Sequence, residues 1–369
     1  MKNKKLKIFI IAGEVSGDVL GAKIMAELPD AEFVGIGGEN MQVYGLESIL
    51  PMADLAVMGV VDAVARARTL TRRINEATAA IIKEKPDIVL SIDSPGFVKR
   101  VIKKVQKSDS DHTPKYYHVV APQVWAWGAN RAKKYARVFD RLYAFFDFEV
   151  PYFTKHGLVT IPVGHPVADG LPHGPAVGKN VKTITLLPGS RLGEIKKLLP
   201  VFKQVAEQLP KYKFVLPVVE TTKEYVQKHV KKWKVKPTIV PASKRYEQYS
   251  KTDIAVVAVG TATAELAMMH VPAVVVFKVN RITEYLARKV IKLNWLSLVN
   301  ILLNRRVYPE LLGRECTADN IVAEIKKLES PVGREKMIKE LSRADKMWQR
   351  KVPAAKLIAA DIMKVISEK

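Results

Sequence analysis

The chain has 369 residues, 48% of them hydrophobic, which is more than one typical domain needs and enough for one or two real cores. A formal charge of +23 calls for acidic partners, yet no block of basic residues interleaved with stacking aromatics marks a nucleic-acid groove, so specific nucleic-acid binding is not expected. The single cysteine, Cys316, excludes an intramolecular disulfide, and no run of about eighteen apolar residues predicts a membrane span.

Lys2, Lys4, Lys5 and Lys7 precede an apolar stretch and imitate a signal peptide, but the polar Glu14, Ser16 and Asp18 arrive too early for one. A soluble, cytoplasmic protein is the expectation, with peripheral membrane contact left open. Lys7 to Ile11 reads as a strand, and Ala12 to Asp18 as a glycine-bearing crossover into a helix running to Leu28. Phe33 to Gly38 repeats the pattern. Val57 to Val61 leads into a long segment from Asp62 to Ile82, punctuated by Arg66, Arg68, Arg72 and Arg73. Further strands are expected at Asp87–Ile92, Tyr116–Val120, Arg141–Phe146 and Thr160–Pro166, and the alternation with helices predicts a parallel, doubly wound sheet.

Breakers crowd the stretch from Leu171 to Gly178, which is therefore the expected linker. Alternation then resumes with strand candidates at Ile184–Leu187, Lys213–Val219, Thr238–Val240, Ile254–Val259 and Ala273–Phe277. This organisation gives a first domain over residues 1–172 and a second over 173–345. The tail reads as helix interrupted at Pro353, with 346–369 long enough to cross back toward the first domain.

Two junctions in the second half have the form of a strand, a glycine turn and a helix start. In Leu187-Pro188-Gly189-Ser190-Arg191, Gly189 lets the backbone approach a ligand, Ser190 can cap the helix and Arg191 offers a fork of donors to phosphate; Glu194 follows in the first turn. In Val259-Gly260-Thr261, backbone and hydroxyl can approach phosphate, and Glu265, one turn on, can accept two hydrogen bonds from a ribose diol or simply favour the helix N-terminus. Together they describe a nucleotide pocket. Asp93, at the carboxyl end of a strand, could deprotonate an acceptor hydroxyl or cap the helix starting near Pro95. Glu14, Ser16 and Asp18 occupy an equivalent crossover, where capping is an equal explanation for Ser16 and Asp18. His165 and Trp125 are cleft candidates that packing would also explain. No His/Cys/Asp cluster has metal-ligand spacing, so neither a tightly held metal nor another cofactor is expected.

These motifs, in this order and nearly end to end, resemble the lipid-A-disaccharide synthase family. The resemblance rests on Ala12–Asp18, Ala56–Gly59, Ile92–Pro95, Pro122–Trp127, Gly164–Pro166, Leu187–Arg191 and Gly260–Glu265. It implies an α/β GT-B fold, with two Rossmann-like domains facing across a cleft. It also implies an inverting transfer of 2,3-diacylglucosamine from its UDP donor to 2,3-diacylglucosamine 1-phosphate (lipid X), releasing UDP. By the same analogy Asp93 is the base, with Glu14 and Ser16 beside it. Arg191 and the Gly260–Thr261 turn hold the diphosphate, Ser190 and Glu194 belong to the same donor (UDP) site, Glu265 holds the ribose, and Asn300 and Glu310 face the donor. An anionic inner-membrane surface is the implied partner, and a homodimer is allowed.

The sequence departs from the family pattern at Val98, Gly128 and Gly313, where asparagine, arginine and glutamine are expected. The segment 62–75 is also more polar than the family's apolar patch, so docking to an anionic leaflet is expected to be mainly electrostatic, at roughly 1 kcal/mol per basic residue. A nucleotide-sugar epimerase would share the paired domains and the UDP pocket without needing a second substrate.

Overall fold

A computed structural model of the protein describes residues 5–55, 67–108, 111–125, 128, 130–169, 171, 174, 178–278 and 294–367. The chain divides into two compact units, one formed by Met1–Pro166 with Arg350–Lys369 and the other by Val167–Gln349.

The first unit is built on a six-stranded sheet in the order β2-β1-β3-β4-β5-β6, where β1 is Lys7–Ala12, β2 Glu32–Ile36, β3 Ile88–Ile92, β4 Lys115–Val119, β5 Arg141–Ala144 and β6 Val159–Pro162. Every pairing is parallel. Parallel strands need crossovers, and the crossover helices cover both faces, so the central strands read as unbroken apolar runs. Alternate residues divide between two cores. Phe9, Ile11 and Val89 pack with Ile74, Val101 and Tyr135, from the helices Ala67–Glu84, Pro95–Val105 and Arg131–Ala136. Ile8, Ile10 and Leu90 pack with Leu20 and Ile24 of the helix Val15–Ala26 and with Ile358 and Ile362 of the carboxyl-terminal helix Ala354–Ser367.

That last helix is pinned to β5 by a half-buried carboxylate. Asp361 accepts from Arg141 Nη1 at 2.8 and 2.9 Å and from the Tyr143 hydroxyl at 2.8 Å. The tail as a whole is three helices, Pro331–Ser342, Asp345–Trp348 and Ala354–Ser367, so it breaks near Ala344 as well as at the expected Pro353.

The second unit repeats the plan in the order β12-β11-β10-β7-β8-β9, with β7 at Thr183–Leu187, β8 at Lys213–Val218, β9 at Thr238–Pro241, β10 at Ile254–Ala258, β11 at Ala273–Phe277 and β12 at Glu310–Leu312. Its pairings are also parallel. Each of the five strands expected in this half is present, and β12 is an addition that the sequence did not announce. Several strands end earlier than expected: β6 stops at Pro162 instead of Pro166, and β8 and β10 each stop one residue short, at Val218 and Ala258. Val120 leaves β4 with φ of +81°, and β5 stops at Ala144 before Phe145 and Phe146.

The segment Ala56–Gly59 and the start of the arginine-rich stretch, through Arg66, lie outside the described residues; Arg68, Arg72 and Arg73 are on the helix Ala67–Glu84. Of the arginines that are described, Arg73 is turned onto Asp54, at 2.8 and 2.6 Å, and onto Glu76 at 2.7 Å, so its charge is internally paired. No described helix is long and apolar enough to cross a membrane.

Candidate active site

In the first sheet the winding reverses between β1 and β3, because β2 lies on one side of β1 and β3 to β6 run away on the other. Loops leaving the carboxyl ends of such a pair diverge and open a crevice in which ligands of α/β sheets bind. The two loops here carry Gly13-Glu14-Val15-Ser16 and Asp93-Ser94. They are packed hard together: a Cβ placed on Gly13 would fall 1.8 Å from Ser94 Oγ.

Backbone strain gathers at this edge. Asp93 and Ser94 have φ of +58° and +47°, and Val120, at the end of the neighbouring β4, has +81°. Left-handed backbone at a residue with a Cβ costs of order 1–3 kcal/mol and persists only where its surroundings enforce it, typically at functional sites. The Asp93 N–H donates to the Val119 carbonyl at 3.1 Å, and Asp93 Oδ1 accepts the Ser94 N–H at 2.7 Å. The helix Pro95–Val105 receives no side-chain cap, so Asp93 fixes its own turn instead of capping that helix. Asp93 is half-buried at the carboxyl end of β3.

Glu14 is half-buried at the start of the helix Val15–Ala26, and Ser16 is exposed in its first turn. Asp18 is a correction to the expected cleft residues. It is buried, and its two oxygens accept the Gly38, Asn40 and Met41 N–H groups at 2.7, 2.9 and 3.2 Å and the Asn40 side chain at 2.8 Å. Burial pushes its carboxyl up, but the Asn40 side chain and the three N–H groups outweigh it and hold the group below the ordinary carboxylate range. Asp18 therefore organises the turn after β2, with nothing to spare for a ligand.

Trp125 and His165 converge on the segment that follows β5. The Trp125 indole donates to Glu149 Oε1 at 3.2 Å and meets Phe148 edge-on at 5.4 Å between centroids. The His165 ring lies 5.0 Å from Phe145 and 5.9 Å from Phe146, and burial pushes its imidazole down to about 4, which keeps it neutral. Trp127 lies outside the described residues. Glu149 was missed in the sequence: it is buried, accepts the Phe146 N–H at 3.2 Å, and burial pushes its carboxyl up to about 7 against those hydrogen bonds. The available signal was an acid three residues after Phe146 inside an aromatic run, the spacing at which a glutamate reaches back to a backbone N–H.

The second sheet reverses between β7 and β10, with β8 and β9 on one side and β11 and β12 on the other. The two glycine turns singled out in the sequence leave these two strands. Gly189 has φ of +95°, and a Cβ there would fall 2.3 Å from Glu194 Oε2, so the Glu194 side chain folds over it; Arg191 Nη1 donates to Glu194 Oε1 at 3.2 Å. Ser190 does not cap the helix as expected. The helix is Leu192–Gln208, Arg191 holds the N-cap position, and no side chain caps it. Ser190 and Arg191 are exposed beside that N-terminus.

Gly260, with φ of +156°, opens the helix Thr261–Met268, and a Cβ there would meet nothing within 4 Å among the described residues. Thr261 is exposed, and the Gly260 carbonyl is held by Thr263 Oγ1 at 2.7 Å. Glu265 is buried and already engaged: Arg245 donates to it from Nε at 3.1 Å and Nη2 at 3.2 Å, and the Tyr246 hydroxyl donates at 3.0 Å. The buried Tyr249 hydroxyl hydrogen-bonds to the same carboxylate.

Asn300 and Glu310 require a second correction. Both are buried. Asn300 Oδ1 accepts the Val307 and Tyr308 N–H groups at 2.9 Å, and its Nδ2 donates to the Tyr308 carbonyl and to Glu310 at 2.8 Å. Glu310 also accepts the Leu296 and Ser297 N–H groups at 2.9 Å and the Ser297 hydroxyl at 2.7 Å. With their polar atoms committed to neighbouring backbone, the pair pins the turn around the helix Leu298–Leu303 to β12 rather than facing a donor. Among the described residues no group of three or more His, Cys, Asp or Glu side chains could hold a metal ion.

The family model for Lipid-A-disaccharide synthetase matches residues 8–365. The lipid-A-disaccharide synthase of Gluconobacter oxydans is 38% identical over 383 residues, covering 98% of this chain and 91% of that protein. That of Rhodospirillum centenum is 36% identical over 389 residues, covering 99% and 96%. Among solved structures, the S. aureus MnaA–UDP co-structure matches with a TM-score of 0.64 at 14% identity, over 98% of this chain and 97% of that one. Acinetobacter baumannii MurG matches with a TM-score of 0.59 at 13% identity, over 98% and 100%. At such identities the structural likeness carries the fold alone, and that fold is GT-B, with two Rossmann-like domains.

Proposed function

The chain belongs to the lipid-A-disaccharide synthase family, a family of UDP-sugar-dependent glycosyltransferases, and from that membership we propose its reaction. The donor is UDP-2,3-diacylglucosamine, the acceptor is 2,3-diacylglucosamine 1-phosphate, and the products are the lipid A disaccharide 1-phosphate and UDP. The observation that carries the reading is Asp93, a carboxylate held in left-handed backbone at the switch point of the first sheet.

Asp93 takes the proton from the acceptor hydroxyl, whose oxygen attacks the anomeric carbon of the donor sugar as the bond from that carbon to the UDP oxygen breaks. Attack opposite the leaving group inverts the anomeric centre. Negative charge grows on the departing diphosphate, and the donors suited to it are the Arg191 guanidinium and the N–H groups at the starts of Leu192–Gln208 and Thr261–Met268. No metal or other cofactor enters this scheme. Glu265, braced by Arg245 and Tyr246, is the ribose acceptor. Peripheral attachment to an anionic membrane surface belongs to the same reading, supported by the net charge of +23. Incubation of the purified protein with donor and acceptor is the test: disaccharide and UDP in equal amounts are expected, and UDP-sugar turnover without acceptor would replace this reading with an epimerase.

A further inference from the structure

Glu265 stands on the helix Thr261–Met268, which leaves β10, and its side-chain partners come from one short helix, Arg245–Tyr249, which follows β9. Both helices begin at carboxyl ends of the second sheet, the edge at which α/β sheets bind ligands. Arg245 meets the carboxylate as a fork, with Nε 3.1 Å from Oε2 and Nη2 3.2 Å from Oε1. The Tyr246 hydroxyl donates to Oε1 at 3.0 Å while accepting from Arg245 Nη2 at 2.9 Å, and the guanidinium lies over the Tyr246 ring, 4.3 Å from its centroid. The Tyr249 hydroxyl adds a further donor.

A carboxylate offers about four lone-pair sites, and two hydrogen bonds from Arg245 with one from each tyrosine fill them. A ribose diol asks for two. The donors differ in how readily they leave. Tyr249 is buried, and Tyr246 is half-buried with the guanidinium over its ring. The Arg245 side chain is 36% exposed, against 9% for Glu265, so the guanidinium is the donor that can turn out into water. It also supplies two hydrogen bonds to the carboxylate, the number that a diol would replace.

We propose that Arg245 sets how strongly the ribose of the donor nucleotide is read, because its guanidinium and the ribose diol compete for the same two oxygens of Glu265. This role rests on the reading of Glu265 as the ribose acceptor and deepens it by naming the group that must yield. In the exchange, two hydrogen bonds from a cation give way to two from neutral hydroxyls, so the diol adds little net affinity while Arg245 is present. Removing the competitor leaves the carboxylate open to the diol, with the two tyrosines still holding it in place.

Calorimetric titration of UDP and of 2′,3′-dideoxyuridine 5′-diphosphate into the full-length protein gives the ratio of their affinities, which isolates the two hydroxyls from the rest of the nucleotide. In Arg245→Ala the ratio in favour of UDP should rise by about tenfold, the size of one charge-assisted hydrogen bond no longer contested. Arg245→Lys keeps a positive charge beside the buried carboxylate, which secures the test if the alanine variant does not fold. Its ammonium lacks the fork that engages both oxygens, so the ratio should rise there too. In a Glu265→Gln background, Arg245→Ala should leave the ratio where it was. A ratio that is unchanged or falls in the Arg245 variants overturns the proposal, a fall making the guanidinium a brace instead of a competitor. A rise that persists without the Glu265 carboxylate overturns it as well. Equal affinity for the two nucleotides in every protein takes Glu265 out of the ribose site, and the proposal falls with that reading.

Discussion

Asp93 is tied to its own neighbour: its Oδ1 accepts the Ser94 N–H at 2.7 Å while both residues hold left-handed backbone. The turn is strained, and Gly13 is one of the groups that confine it, since no side chain fits between its Cα and Ser94 Oγ. The geometry of the proposed base therefore depends on a glycine in another loop.

Gly13→Ala should push Ser94 aside and take Asp93 with it. Overpacking of this kind costs roughly 1–3 kcal/mol, and misplacing a base by about an ångström costs on the order of 100-fold in rate. Urea unfolding and steady-state kinetics read the two effects, and UDP affinity, which the proposed scheme assigns to the glycine turns of the other unit, should stay at the wild-type level. A variant with wild-type kcat would show that the Gly13–Ser94 approach has no bearing on chemistry.

Arg191→Ala should weaken UDP binding by about 10- to 100-fold, because charge-assisted hydrogen bonds to a diphosphate are worth roughly 1.5–3 kcal/mol. Arg191 pairs with Glu194 across an exposed turn, and an exposed pair contributes little, so its removal should leave the melting temperature nearly unchanged. Titration of UDP into the variant checks this, and unchanged affinity would move the diphosphate elsewhere.

Glu310→Ala should act on stability before chemistry. It strips the partner from the Leu296 and Ser297 N–H groups, the Ser297 hydroxyl and the Asn300 amide, four donors around one buried carboxylate. Leaving several buried donors unmet should cost about 3 kcal/mol or more. Denaturant unfolding tests it; a variant of wild-type stability with poor donor binding would restore the donor-facing role suggested by resemblance.

Glu149 sets a pH dependence of known sign. Burial raises its carboxyl from 4.5 to about 7, so between those values the folded protein holds a proton that the unfolded chain has released. Its contribution is full below about pH 4.5 and is lost as pH rises through 7, by roughly 3 kcal/mol in all. Glu149→Gln cannot ionise, so its stability relative to wild type should rise between pH 5 and pH 8. Parallel stability curves for the two proteins would mean that the carboxyl titrates in its ordinary range.

The architecture was legible because a strand covered on both faces must be apolar throughout: Ile8 to Ala12 and Ile254 to Ala258 are buried along their length and stand out against the helices between them. The glycine turns were legible for a related reason, since Gly189 and Gly260 adopt backbone that other residues avoid. What stayed hidden was nonlocal. Three residues, one of them charged, gave no strand signal for β12, which exists because its neighbours bury it. Resemblance located Asn300 and Glu310 without revealing that their polar atoms are used up on backbone. Asp18 looked like a cleft carboxylate until the turn at Gly38 and Asn40 closed over it, and the strain at Val120 has no mark in its side chain.

The most direct measurement compares wild type with Asp93→Ala, given UDP-2,3-diacylglucosamine and 2,3-diacylglucosamine 1-phosphate, with disaccharide followed by mass spectrometry and UDP binding by calorimetry. The account predicts disaccharide from the wild type and none from the variant, with UDP bound equally by both. Disaccharide from the variant at a near-wild-type rate would contradict it.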